Sequence, residues 1–266
     1  MLLKHRRLIA TAAFGTVLVA GCGSSGPTAG PSSTPVVPPT TAPSPISTPT
    51  AKPTPTPTPT PTASIAGLPA RQILTKAEAT AKAATGVRVR GTMAMDGESL
   101  KIDVRLTGSG GSGTIAFDGA GLSVVVLGRT AFLQVSDTFW RRQSKPKDAE
   151  LMIQLLRGKW LKVALDDKDF GEMAAFASKA GMFDGMFTAG GNLRKTAAKT
   201  VDGVRCIGLR DADGTFWVDA ADARPVRLEL GGSEGTGGFS FSEYDQVRQP
   251  KAPPPAQVVD GKNLDR

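Results

Sequence analysis

Two cysteines, one histidine and a few polar pairs are the residues of this chain with reactive potential. Cys22 stands directly behind Leu18-Val19-Ala20-Gly21. A thiol that follows small residues at the end of an apolar run can carry a diacylglycerol group. Cleavage before it then frees an amine for a further acyl chain. Cys206 lies in the strand-like segment VRCIGL, which suits a small buried apolar residue. With Cys22 acylated, Cys206 has no partner for an internal disulfide, although an oxidising compartment would permit one. His5 is the only His, and it sits in a segment expected to be removed. The mature chain then has no imidazole for Ser-His-Asp or Cys-His catalysis, nor for a His-ligated zinc.

The other motifs fail on context. GSGGSG at 108–113 matches G-x-G-x-x-G, but a strand-like TIAFD follows it where a dinucleotide site needs a helix. It reads as a flexible hairpin. Ser144-Lys145-Pro146-Lys147 matches S-x-x-K without the S-D-N and K-T-G partners of penicillin-binding enzymes. Pro146 there suggests a helix start with Ser144 as a cap. Asp166, Asp167, Asp169 and Glu172 lack the spacing and Gly of a calcium loop and suit a first helical turn. Asp211 and Asp213 before Gly214 read as a turn. The expectation is a protein that is not an enzyme and uses no cofactor and no metal.

The elements that position these residues begin with an address. Lys4, Arg6 and Arg7 precede an apolar run from Leu8 to Ala20, too short to span a bilayer comfortably. This is the layout of a secretory signal, and its end resembles the lipobox of bacterial lipoproteins. Residues 1–21 are therefore expected to be a lipoprotein signal peptide, with Cys22 as the lipidated first residue. Buried acyl chains add about 0.8 kcal/mol per CH₂, so the anchor would hold the chain at the extracytoplasmic face of the cell membrane. Loss of the three cations lowers the formal charge of +8 by three. The remaining basic residues are scattered, and nucleic acid is not an expected partner.

Residues 22–66 carry the cysteine and a Pro/Thr-rich tether whose centre is PTPTPTPTPT at 53–62. Such a composition buries too little apolar surface to fold. At ~3.1 Å per residue it reaches on the order of 130 Å when fully extended. Residues 67–250 fit one domain, and 251–266 read as an extended tail.

Within the domain, Leu68-Pro69 opens a helical pattern that runs to about Thr85, with Gly86 suited to its end. Strict alternation follows. Val87, Val89, Met93 and Met95 face one way. So do Leu100, Ile102, Val104 and Leu106, while Lys101, Asp103 and Arg105 face the other. Ile115 and Phe117, then Val124 and Phe132, continue the apolar face. Val226, Leu228 and Leu230, with Phe239 and Phe241, close it near the C-terminus. Gly-rich links between these runs are hairpin signals. Many strands with one polar face imply a large antiparallel sheet whose other face is covered.

Three helical segments are candidates for the cover. The first is the opening helix. The second, PKDAELMIQLLRG, presents Leu151, Met152, Leu155 and Leu156 on one side and ends at Gly158. The third, DFGEMAAFASKAGMFDGMF at 169–187, holds four of the eleven Phe and three of the seven Met. Phe170, Met173 and Phe176 form its first half. Gly181 interrupts it before Met182, Phe183, Met186 and Phe187. Gly171, Gly181 and Gly185 are the candidate hinges of a mobile lid.

The order of features resembles the LppX/LprG-type lipoproteins of high-GC Gram-positive bacteria, related in fold to LolA and LolB. It runs from an Ala-rich helix through VRVRGTMAMDG, LKIDVRLTG and GTIAFDG to GRTAFLQ, FWRR and GKWLKV. KTVDGV, ARPVRLEL, FSFSEYD and PPPAQVVD follow. The resemblance implies an α+β fold: a large curved antiparallel half-barrel sheet, LolA-like, with helices across its concave apolar face. Between them it implies a cavity for an acylated lipid or glycolipid, carried or chaperoned across the cell envelope. The family has no catalytic residues to transfer. A lipid exporter or envelope protein is the protein partner it implies. The long Thr-Pro tether departs from the shorter links of mycobacterial members. The alternative is a non-enzymatic stalked binding or sensor module for a wall polymer or envelope protein, with the same residues filling a closed core.

Overall fold

Period-two alternation of apolar and polar residues organises the structure. The computed structural model describes residues 64–264, apart from Asp96, Gly190 and 232–234 and the side chain of Met95. The signal segment, Cys22 and most of the tether lie outside the described residues. Ten-residue strands β1 (Gly86–Met95) and β2 (Glu98–Thr107) pair antiparallel over their whole length. β3 (Gly110–Phe117), β4 (Ala120–Leu127) and β5 (Thr130–Val135) continue the meander. Asp118 and Gly119, both at positive φ (47° and 79°), make the tight turn between β3 and β4.

β6 (Trp160–Ala164) pairs with β5. In the other direction β1 pairs with β12 (Thr236–Ser242), then β11 (Pro225–Leu230), β10 (Gly214–Asp219) and β9 (Val204–Arg210). Short strands β7 (Arg194–Lys195) and β8 (Lys199–Val201) both pair with β9. β13 (Val258–Asp260) adds parallel to β6, the single parallel pairing among the described residues, whose 13 strands are otherwise joined by antiparallel ladders. The order runs from β13 at one end to β7 at the other, and the sheet does not close.

Five α-helices lie among the described residues: α1 (Ala70–Ala83), α2 (Asp137–Gln143), α3 (Pro146–Leu156), α4 (Gly171–Ala175) and α5 (Lys179–Phe183). No helix among the described residues is long and apolar enough to cross a membrane. Their apolar sides meet one face of the sheet, here the inner face, in a single core. Ile73, Ala77 and Ala81 of α1 are fully buried there, as are Val87, Val89, Ile102, Val104 and Val126 from the strands. The residues of that core fall between Ile65 and Leu264, so the chain from residue 64 onward contains all of it.

Several sequence expectations change. Ile65 is buried, in a 3₁₀ turn (Ile65–Gly67) whose N–H bonds to Ala220, so the folded domain starts before the expected boundary at 66. Gly86 opens β1, and Ala84 caps α1 instead. Four residues of GSGGSG belong to β3, leaving only Gly108 and Ser109 as the turn. Ser144 ends α2, while Lys145 caps α3 without a side-chain bond. Val226 leaves the inner face because a bulge between Trp217 and Val218 shifts the β10–β11 register. It joins Val201, Cys206 and Trp217 in a small outer cluster. Burial pushes the Cys206 thiol up to about 11, the mark of an inert structural cysteine.

The extended tail expected at 251–266 runs on from a strap across the sheet. Gln249 accepts hydrogen bonds from Thr107 and Ser109 at the β2–β3 turn, and ten residues later the chain pairs with β6. Thr107 points away from the inner face, so the strap leaves from the outer side. Outer-face charges lie beside its root. Arg88 donates to both oxygens of Asp103, at 2.7 and 2.6 Å, and to Glu243 at 2.9 Å. Arg105 donates twice to Glu243, at 2.8 and 3.0 Å.

These bonds hold both carboxyls below their usual range, Asp103 chiefly through Arg88 and Glu243 chiefly through Arg105. A depressed folded-state value stabilises the fold above the unfolded carboxylate value and is lost as pH falls through the folded one. Thermal stability is therefore expected to fall below about pH 4. Asp103→Asn should melt lower at neutral pH and show a flatter acid limb. An unchanged acid limb would contradict the assignment.

Candidate functional site

The inner face and the α4–α5 segment above it gather most of the apolar candidates. Ile102, Val104, Ile115 and Val124 are at most 1% exposed in the core. Met93, Phe117 and Leu228 are half-buried against it, and Phe239 and Phe241 are buried within it. From the lid, Met182, Phe183 and Phe187 are buried, whereas Phe170, Met173, Phe176 and Met186 are half-buried at its margin. Met95 follows the same alternation, but its side chain lies outside the description.

Two candidates are elsewhere. Phe132 pairs with Val125 and Lys162 and points to the outer face, opposite Ala131 and Leu133, which enter the core. All three consecutive residues are buried, so period two fails in β5. Leu155 is exposed, like Leu151, because α3 turns Ala149, Ile153 and Leu156 inward. Leu156 and the half-buried Met152 are where the helical stripe expects them.

The lid is two helices of five residues each, too short to hold as helices without tertiary contacts. The break between them falls at Phe176–Ser178, where Ser178 caps α5 by accepting from the Gly181 N–H at 3.1 Å. Gly181 sits inside α5. Asp167 caps the start of the segment, accepting from the N–H groups of Asp169 and Phe170 at 3.0 Å each. Asp166 pairs with Arg129 at 2.6 Å. Two acids of the run at 166–172 are therefore structural. An open groove of about 460 Å³ runs along this end, lined by Leu165 to Lys168, Gly171, Glu172 and Ala175.

Aromatic contacts pin both ends of the lid. Phe170 meets Trp140 of α2 edge-on at 5.8 Å, and Trp140 meets Phe139 at 5.9 Å. At the other end Phe183, Phe187, Phe216 and Phe241 form a run with centroid separations of 5.7, 5.2 and 5.9 Å. Such pairs contribute roughly 0.5–1.5 kcal/mol beyond burial. Trp140 and Phe216 escaped the sequence reading. The signal for α2 was present in Ser136, whose hydroxyl accepts from the Phe139 N–H.

Between these ends the lid backbone rests directly on the sheet. A Cβ on Gly111 would lie 2.5 Å from the carbonyl oxygen of Ala177. Any side chain on β3 there would lift the α4–α5 connection, so part of GSGGSG seats the lid. Trp140 has no hydrogen-bond partner for its buried indole N–H among the described residues.

Lys179 latches the lid to α1. Its ammonium donates to the carbonyls of Lys82, at 3.0 Å, and Ala84. These are among the last, otherwise orphaned carbonyls of that helix. Burial lowers the Lys179 pKa, and Asp245 acts in the opposite sense. Lys82 is exposed and Ala84 half-buried, so their carbonyls can turn to water and removing the ammonium costs about 0.5–1.5 kcal/mol. Lys179→Met is expected to raise the fluorescence of an apolar-surface dye while the far-UV spectrum is unchanged. Lys179→Arg should behave as wild type. Dye binding equal in all three proteins would contradict the latch.

No family-wide sequence profile matches the chain, and no curated protein matches it. Solved structures of similar layout exist. LprF from Mycobacterium bovis is 15% identical with a TM-score of 0.45, and the match covers 68% of this chain and 96% of that one. In the Pseudomonas aeruginosa MucA/MucB complex the matched chain is 16% identical, with a TM-score of 0.32 over 71% and 59% of the two chains. The fold is likewise similar to that of the Mycobacterium tuberculosis lipoprotein LppX, at 16% identity and a TM-score of 0.39 over 68% of this chain and 97% of that one.

Proposed function

We propose that the domain binds an acylated lipid or glycolipid between the inner sheet face and the α4–α5 lid, as a carrier or chaperone without enzymatic activity. The lipid anchor on Cys22 would hold it at the extracytoplasmic face of the cell membrane, with a lipid exporter or envelope protein as its partner. The observation that carries this reading is the make-up of the lid. A continuous apolar face is closed by two one-turn helices, and Phe170, Met173, Phe176 and Met186, in or beside them, are only half-buried against the core. Lifting so short a segment breaks few backbone hydrogen bonds and uncovers a wide apolar surface.

An acyl chain offers the exchange such a surface needs. Each CH₂ removed from water contributes roughly 0.8 kcal/mol, so a long chain can replace the contacts of the displaced lid. Met adapts its shape to different chains. The orphaned indole N–H of Trp140, buried beside Phe170, suits an ester carbonyl as acceptor.

The closed-core alternative has one observation in its favour. Met182 and Phe183 are each 2% exposed, and the aromatic run from Phe183 to Phe241 fills the space under the lid. Native mass spectrometry of residues 64–266, purified from a host with a comparable envelope, separates the two. Bound acyl lipid in stoichiometric amount, lost on organic extraction and absent from Met186→Asp, is the expected result. A lipid-free mass, with no uptake when lipid is offered, would favour the filled core.

A further inference from the structure

We propose that the outward side of α3 is a docking surface for an anionic lipid membrane. Leu151 and Leu155, 64% and 44% exposed, are the exposed large apolar side chains among the described residues. Their exposure is built into the helix. Ala149, Ile153 and Leu156 fill the inward side. At 100° per residue Leu151 and Leu155 stand opposite them, one turn apart. Lys147 lies one turn before Leu151 on the same strip.

Cations frame these leucines. Lys145 and Lys147 sit at one end of α3, Arg157 and Lys159 at the other, all exposed. Arg141 and Arg142 are exposed on α2, the helix paired with α3. The acids in the same stretch are Asp137, Asp148 and Glu150. Glu150 is paired with Arg141 at 3.1 Å. Six bases against three acids leave a net positive rim around two leucines. An interfacial helix has this chemistry: apolar side chains enter the acyl boundary while Lys and Arg meet anionic headgroups. A protein groove would more often be matched by a wider apolar stripe.

The surface stands one helix away from the lid, since Trp140 of α2 touches Phe170. The proposal goes beyond lipid carriage and does not rest on it.

Cosedimentation of residues 64–266, which hold the whole core and lack the anchor, tests it. Vesicles of phosphatidylcholine and phosphatidylglycerol at 3:1 are compared with phosphatidylcholine alone. The wild-type domain is expected to bind the anionic vesicles at least tenfold better, and added salt should weaken that binding. Leu151→Ser/Leu155→Ser, on an exposed surface, should lose at least tenfold with its melting temperature unchanged. Lys147→Glu/Arg157→Glu should lose as much. The proposal falls if wild type ignores anionic vesicles or if the leucine variant binds equally well. It also falls if these leucines instead hold two copies of the chain together in sedimentation analysis. A domain that docks on vesicles yet carries no lipid by mass spectrometry would overturn only the carrier reading.

Discussion

An apolar sheet face cannot be left in water, and most of this molecule answers that constraint. β1–β4 place Val87, Val89, Ile102, Val104, Leu106, Ile115, Val124 and Val126 on one side, each at most 1% exposed. At about 25 cal/mol per Å² such a surface dominates the free energy of the domain. α1, α2 and α3 cover parts of it, each through one buried side. The remainder falls to α4 and α5, which are too short to be stable alone and owe their shape to the surface beneath them. Gly111 shows how close the fit is, because the lid backbone at Ala177 occupies the room of a missing side chain.

The outer face has a different economy. Arg88, Asp103, Arg105 and Glu243 cross-link β1, β2 and the residue that follows β12, leaving that face polar and partly solvated. The C-terminal strap ties the middle of the sheet to its β6 edge. By pairing with β6, β13 covers backbone groups that would otherwise offer a template for another strand.

The sheet was legible because period two is a strong signal wherever one face is wet. Alternation placed Ile102, Val104, Ile115 and Val124 inside, where the structure has them. It misled at Phe132, where Ala131 to Leu133 are all buried, and at Val226, where a bulge reverses the facing. Helical periodicity indicated α3 but chose its side wrongly at Leu155. Leucine on both sides of a helix leaves the inward side to tertiary contacts. The lid was legible as composition but not as geometry. Its latch joins Lys179 to carbonyls at the distant end of α1, its seat is a glycine in β3, and its two aromatic anchors lie in α2 and β10. Contacts between elements about thirty residues or more apart leave no local pattern.

A carrier needs a lid that opens without unfolding the sheet. Hydrogen exchange followed by mass spectrometry measures this directly, since local and global opening give different protection. Amides of residues 171–187 are expected to exchange far faster than those of β1–β4, with their rates set by local opening. Exchange of the lid amides as slow as that of the sheet, through global unfolding alone, would contradict the account and leave a single closed core.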